Sequence, residues 1–170
     1  GPDNPTARAA ALTRQLLARH GLLTREVTAL EPVPGGFTAI YAVLRRLEDT
    51  GRVRRGYFVA GLGGAQFAEP GALDRLRAER DPAPEPRAVT LAATDPANPY
   101  GAVVDWPAWN GSATLRASRV TGARVVLVDG HATAWIARGN RQVLVALADE
   151  EPDRGRRGRA LGRELVRLAQ

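Results

Sequence analysis

The most informative segment of this chain is residues 36–68, which read GFTAIYAVLRRLEDTGRVRRGYFVAGLGGAQFA. Apolar side chains recur in its first part at the i, i+3, i+4, i+7 spacing of an amphipathic helix, namely Phe37, Ile40, Tyr41, Leu44 and Leu47. Gly51 ends this pattern, and two short strand-like runs then flank a glycine-rich centre. The segment therefore predicts a helix followed by a β-hairpin.

Two further helices are predicted upstream of this segment. Thr6 and Thr24 are expected to be their N-caps, because a hydroxyl at that position accepts a free backbone N–H of the first turn. Gly21 and Pro32 are expected to end them. Three helices followed by a hairpin is the order of a winged helix-turn-helix, which we expect to occupy residues 6–80.

The second half of the chain has a different pattern. Residues 81–87 carry three prolines at alternate positions, which predicts an extended linker. Residues 88–150 contain several strand-like runs joined by the turn signals Asp129-Gly130 and Gly139-Asn140, which predicts a small antiparallel β-barrel or meander. Residues 154–169 are expected to form a basic C-terminal helix. The predicted fold class is therefore α+β, a winged helix followed by a β domain and a helix.

Composition excludes several kinds of site. The 170 residues are 44% hydrophobic and 25% charged, which is typical of a globular protein. The absence of cysteine excludes disulfides, thiolate catalysis and cysteine-ligated metals, and with only two histidines we expect no metal site. The longest apolar runs fall far short of the ~20 residues that cross a bilayer, so no membrane span is expected.

The basic charge has two interpretations. The net charge is +6, and all 24 basic residues are arginine. One interpretation is a compositional bias toward arginine, and the other is a surface that binds polyanions, since guanidinium groups bind phosphate in a bidentate manner. The candidate nucleic-acid-binding residues lie on the predicted third helix and wing: Thr38, Arg45, Arg46, Arg52, Arg54, Arg55 and Tyr57. The alternative is a solvated charged face, or, for the tyrosine, a core position.

One carboxylate is a candidate for catalysis. Asp95 lies in the segment TDPANPYG, where prolines stiffen a turn close in sequence to Tyr100 and Trp106. Such a carboxylate can stabilise positive charge on a sugar while a flipped base stacks nearby. The alternative is an Asx turn, in which the aspartate accepts a backbone N–H.

The glycine-rich run at residues 61–64 lacks the lysine of a phosphate-binding loop, so this chain is not expected to hydrolyse ATP. The arginines of residues 154–159 are interpreted as a solvated segment or as a nucleic-acid backbone contact.

Residues 53–68 and 91–101, taken together and in order, resemble the C-terminal region of the large helicase-related (Lhr) family of bacterial superfamily 2 DNA helicases. The resemblance covers roughly residues 10–147. It implies a tandem winged-helix array leading into a β-barrel similar to that of AlkZ-type DNA glycosylases, within a larger cytoplasmic, nucleoid-associated protein. It also implies a 3′-to-5′ motor that binds ATP and magnesium outside these residues. No helicase motif is present here, and the Gln/Asp catalytic pair of AlkZ-type enzymes has no counterpart.

Three hypotheses follow from the residues and the resemblance. The leading one is a non-catalytic nucleic-acid-binding module of an Lhr-type ATP-dependent helicase in DNA repair, with no cofactor of its own. Its partners would be single-stranded or forked DNA and the helicase core. The second is a uracil-type DNA glycosylase that uses Asp95. The third is an oligomerisation or docking module, in which an exposed strand edge pairs with another subunit to form a homo-oligomer.

Overall fold

The chain divides into two units, Gly1–Asp81 and Pro82–Gln170. A computed structural model describes residues 4–80, 83–110 and 114–170. The first two positions of the predicted linker, residues 81 and 82, lie outside the described residues. Within the described ranges, no helix has both the length and the apolar character that a membrane span requires.

The first unit is a winged helix. Its elements are, in order, α1 (Pro5–His20), β1 (Leu22–Leu23), α2 (Arg25–Ala29), α3 (Gly36–Asp49), β2 (Arg54–Gly56), β3 (Gln66–Ala68) and α4 (Pro70–Ala78). The three strands form an antiparallel sheet in the order β1-β3-β2, so the last strand lies between the first strand and its hairpin partner. The predicted sequence of three helices and a hairpin is confirmed.

The helix starts follow from their capping residues. Asn4, rather than Thr6, caps α1: the Asn4 side-chain oxygen accepts the Thr6 N–H at 3.0 Å, and Pro5 occupies the first helical position. The prediction for Thr6 is wrong because Asn-Pro supplies both the acceptor and the preset backbone angle two residues earlier. The prediction for Thr24 is confirmed, since its Oγ1 accepts the Val27 N–H at 3.2 Å.

Packing in the first unit fixes the orientation of α3. Ile40 and Leu44 are fully buried, as is Phe67 of β3. The Phe67 ring lies 5.8 Å from the ring centroid of Tyr41 and 6.4 Å from that of Phe37. These contacts hold one face of α3 against the sheet and leave the opposite face to solvent.

The second unit is a four-stranded antiparallel meander with one helix. Its elements are β4 (Ala88–Ala92), β5 (Arg124–Val128), β6 (His131–Ile136), β7 (Val143–Val145) and α5 (Asp153–Leu168). The strand order is β4-β5-β6-β7, and β4 does not pair with β7 among the described residues. The α+β class is therefore confirmed, and its β domain is the meander rather than a closed barrel.

Both faces of this sheet are covered. On one face, Val126, Val128 and Ile136 pack with Ala160 and Leu161 of α5. On the other, a second buried cluster consists of Ala93, Ala123, Trp135 and Leu144, with Trp106 and Trp109 packed against it. The turn between β5 and β6 has positive φ at both central residues, Asp129 (48°) and Gly130 (79°), as predicted for a type I′ turn.

Candidate nucleic-acid interface

The solvent-facing side of α3 carries two of the predicted contact residues. Thr38, Ala42, Arg45 and Asp49 are all exposed. At about 100° per residue, these four positions fall within roughly 60° of one another around the helix axis. Thr38 and Arg45 therefore share one face, opposite the buried Ile40, with Asp49 at its C-terminal end.

Arg46 lies on a different side of α3, about 100° around the axis from Arg45. There it lines a groove of about 490 Å³ together with Arg52 and with Arg14 of α1. The remaining lining is largely apolar and includes Ala10, Ala42, Val43 and Leu47. The structure thus brings the predicted candidates Arg46 and Arg52 together, and it adds a third guanidinium group, that of Arg14, which the sequence analysis did not include among the candidate contacts.

The two wing arginines are separated by the strand pleat. Arg54 and Arg55 are neighbours in β2, so their side chains project to opposite faces of the sheet. Arg55 is paired in register with Phe67, on the face toward α3, and its Nε lies 3.2 Å from Oε1 of Glu48. Arg54 lies opposite Ala68 and is exposed. The wing therefore presents the Arg54 charge on one face and a partly neutralised Arg55 on the other.

Tyr57 follows β2 directly and is 88% exposed, so it is not a core residue. The loop that carries it is held by Gln66, whose side chain is fully buried. The Gln66 Oε1 accepts the N–H groups of Phe58 (2.8 Å) and Val59 (2.9 Å). Its Nε2 donates to the carbonyls of Val59 (3.0 Å) and Leu62 (3.2 Å). One amide thus fixes the wing backbone next to an exposed aromatic ring.

Asp95 forms an Asx turn. Its Oδ1 accepts the Ala97 N–H at 2.8 Å, and its side chain is only partly exposed. The loop is further held by Arg119, whose guanidinium donates to the carbonyl oxygens of Asn98 at 2.6 Å and of Asp95 at 3.1 Å. The fully buried Asn98 amide donates to the Ala93 carbonyl at 2.9 Å. The local role of Asp95 is therefore structural, and a catalytic role stays a prediction.

Aromatic rings form a stack beside this loop. The Tyr100 and Trp106 centroids are 6.1 Å apart with an interplanar angle of 22°, and Trp109 lies 6.0 Å from Trp106. Gly101 has φ +71°, and a Cβ at this position would overlap the Trp106 indole nitrogen. The glycine is thus required both by its backbone conformation and by the close approach of the ring.

Comparison with known proteins identifies the family. Residues 2–88, half of the chain, match the family model described as the winged-helix domain of the large helicase-related protein. The chain belongs to the Lhr family. It is 48% identical over 161 residues to the "Lhr helicase/ probable uracil glycosylase" of Mycolicibacterium smegmatis, covering 92% of this chain. It is 42% identical over 153 residues to the "Lhr helicase/uracil glycosylase" of Escherichia coli, covering 88% of this chain.

The match to the family model includes α3 and the wing, and therefore every candidate nucleic-acid contact of the first unit. The pairwise similarities cover more of the chain than the first unit holds, so the meander unit is also shared with these relatives. The chain spans only about 10% of the length of each relative. It thus corresponds to a small part of a much longer Lhr protein.

Three residues that organise these sites were missed by the sequence analysis. Gln66 could have been found, because a polar amide within the apolar end of a hairpin strand, beside a glycine-rich loop, is a candidate for a buried loop anchor. Arg14 and Arg119 gave no such indication. The carbonyls that Arg119 binds lie 19 to 25 residues away in sequence, and Arg46 lies 32 residues from Arg14, so only the packed fold brings these groups together.

Proposed function

We propose that this chain is a nucleic-acid-binding module of an Lhr-type ATP-dependent DNA helicase, whose motor lies outside these residues. The observation that supports this best is the exposed α3 face with Thr38 and Arg45, in the same unit as a rigid wing that presents Tyr57 to solvent. A recognition helix and a wing are the elements with which winged helices grip DNA. The names of the two relatives, each an Lhr helicase, support the same assignment.

The side chains suggest a division of roles. Arg45, Arg46 and Arg52 would neutralise phosphates, which gives affinity independent of sequence. Arg55 would contribute less, because Glu48 already compensates its charge. Tyr57 would stack on a base, and stacking requires a base that is not already paired within a duplex. We therefore propose single-stranded or forked DNA as the partner, together with the helicase core.

The wider context belongs to the same proposal. The motor would bind ATP and magnesium and translocate 3′ to 5′, while this module holds the strand. The protein would act in DNA repair, in the bacterial cytoplasm at the nucleoid. Nothing in the chain itself is assigned to ATP chemistry, because it contains no lysine for a phosphate-binding loop.

The test measures DNA binding by the 170-residue chain with fluorescently labelled single-stranded, duplex and forked DNA over a range of salt concentrations. Arg45→Ala should reduce the slope of log K against log salt by about 0.7–0.9, the value for one phosphate contact. Tyr57→Ala should weaken single-strand binding by about 1–3 kcal/mol and leave the slope unchanged. Arg77→Ala is the control, since Arg77 is exposed on α4 and pairs with Asp74. Unchanged affinity and slope in both test variants would reject the proposal.

A second candidate function is base excision. The printed names of both relatives include uracil glycosylase, and Asp95 lies on a loop held rigidly by Arg119. We propose Asp95→Asn as the test, because an asparagine oxygen can still accept the Ala97 N–H and preserve the turn. Wild-type chain would be incubated with uracil-containing single strands, followed by alkaline cleavage of abasic sites. Loss of product in the variant supports a role for Asp95, whereas equal product in both rejects it. No product from the wild type rejects the activity for this chain.

A further inference from the structure

The outer side of α5 is a strongly basic surface that the proposed function does not use. The helix contains six arginines and two carboxylates in 16 residues. Its inner side, with Ala160 and Leu161, packs on the meander. No described element of the second unit covers the outer side, and Val166 on it is 62% exposed.

Three of the six α5 arginines are already engaged by carboxylates. Arg156 and Arg157 each lie 3.7 Å from Asp153, and Arg167 forms two hydrogen bonds with Glu164. Within the described residues, Arg159 and Arg163 have no ion-pair partner. They are four residues apart, one turn of the helix and about 6 Å along its axis, so they project from the same side.

These two arginines flank an unexplained glycine. Arg159, Gly162, Arg163 and Val166 line one shallow depression on α5. Glycine inside a helix is destabilising relative to alanine. A Cβ at Gly162 would meet no described atom within 4 Å, and its backbone has no positive φ that would require glycine. The chain's own packing therefore gives no reason for this glycine, whereas close approach of an outside molecule to the helix backbone does.

We propose that Arg159, Gly162 and Arg163 form a second nucleic-acid contact, which binds the phosphate backbone of single-stranded DNA without reading its sequence. Two unpaired guanidinium groups on one helix side can each bind a phosphate, and the bare glycine lets the strand come close between them. The surface lacks the aromatic residues that dominate protein interfaces. The Glu151 carboxylate accepts the Gly155 N–H at the N-terminal end of the helix. The inference takes its partner class from the proposed function but uses residues of the other unit.

The test again uses the 170-residue chain, with labelled oligo-dT as the probe. The double variant Arg159→Ala/Arg163→Ala should reduce the single-strand salt slope by about 1.4, two contacts at ~0.7 each. Gly162→Ala should raise Tm by a few degrees, because alanine favours the helix, and still weaken binding several-fold. Gly158→Ala is the matched control on the same helix. Its Cβ would make only an ordinary contact, 3.7 Å from Leu147, so it should raise Tm with unchanged binding.

The outcomes separate this inference from the proposed function. An unchanged slope in the double variant, or wild-type affinity in Gly162→Ala, overturns the α5 contact. If Arg45→Ala still loses one phosphate contact in that case, the proposed function stands and only the present inference fails. If sedimentation shows that the α5 variants alter self-association while the salt slope is constant, the surface binds a second copy of the chain and the inference is likewise overturned.

Discussion

Gln66→Met is expected to destabilise the winged helix although it conserves the approximate length of the side chain. The substitution removes four hydrogen bonds between one buried amide and the wing backbone. At a net contribution of about 0.5–1.5 kcal/mol per hydrogen bond, the free energy of unfolding would fall by about 2–6 kcal/mol if no water replaced the lost bonds. Because the wing is at the surface and its carbonyls can rehydrate, we expect a loss of about 2–4 kcal/mol. The total free energy of unfolding of a typical domain is only about 5–15 kcal/mol.

The measurement is urea denaturation followed by far-UV circular dichroism, combined with amide hydrogen exchange. The exchange of the Phe58 and Val59 amides should become much faster in the variant, because Gln66 Oε1 is their acceptor. Gln15→Met is the control: Gln15 is exposed on α1, so its substitution should change stability by less than about 0.5 kcal/mol. A loss below 0.5 kcal/mol in Gln66→Met with both amides still protected would refute the role of the amide as the wing anchor.

Three further predictions concern the meander unit. Hydrogen bonds from a neighbouring arginine and a threonine of β4 lower the pKa of Glu164 from 4.5 to about 2, so its stabilising contribution is complete above pH ~4.5 and is lost as the pH falls toward 2. Between pH 4.5 and 2, the free energy of unfolding measured by urea titration should fall by about 1–3 kcal/mol more in the wild type than in Glu164→Gln. Gly101→Ala should lower the free energy of unfolding by about 2–4 kcal/mol, because the residue has positive φ and the new Cβ would overlap Trp106. Gly139→Ala is the control: Gly139 also has positive φ (80°) but has open space around it, so the same assay should show a loss of only about 1 kcal/mol. Arg119→Met should lower the free energy of unfolding in urea by more than about 2 kcal/mol, because Arg119 donates to carbonyl oxygens of the Asp95 loop. The same substitution should increase the rate at which a protease cleaves that loop.

Local patterns predicted the elements of the fold well, for physical reasons. The apolar spacing of α3 depends only on the helix period, and Ile40 and Leu44 are buried as that spacing requires. The Asp129-Gly130 turn depends on two residues that tolerate positive φ. For the β domain, the sequence analysis did not decide between a closed barrel and an open meander. Closure depends on whether β4 and β7 meet, which is a long-range contact that no local pattern specifies.

The candidate site was harder to predict than the fold. The residue types and their elements could be read from the sequence, but not which charges remain unpaired. The opposite directions of Arg54 and Arg55 follow from the two-residue period of a strand and were available from the sequence. The Arg55–Glu48 ion pair could not be predicted from the sequence, because the distance between the two side chains depends on how the wing packs against α3. The same holds for Arg14, whose position beside Arg46 depends on how α1 packs against α3.

The distribution of charge, rather than its total, therefore limits what this protein can bind. A net charge of +6 describes the whole chain, yet several guanidinium groups are compensated within 4 Å by carboxylates. Such pairs contribute little to polyanion binding, because a phosphate would have to displace the carboxylate first. The arginines without a carboxylate within that distance in the described structure include Arg45, Arg46 and Arg52 in the first unit and Arg159 and Arg163 in the second. If the salt dependence of DNA binding is set by unpaired charges, removing these five arginines should reduce it far more than removing five of the arginines that are paired with carboxylates.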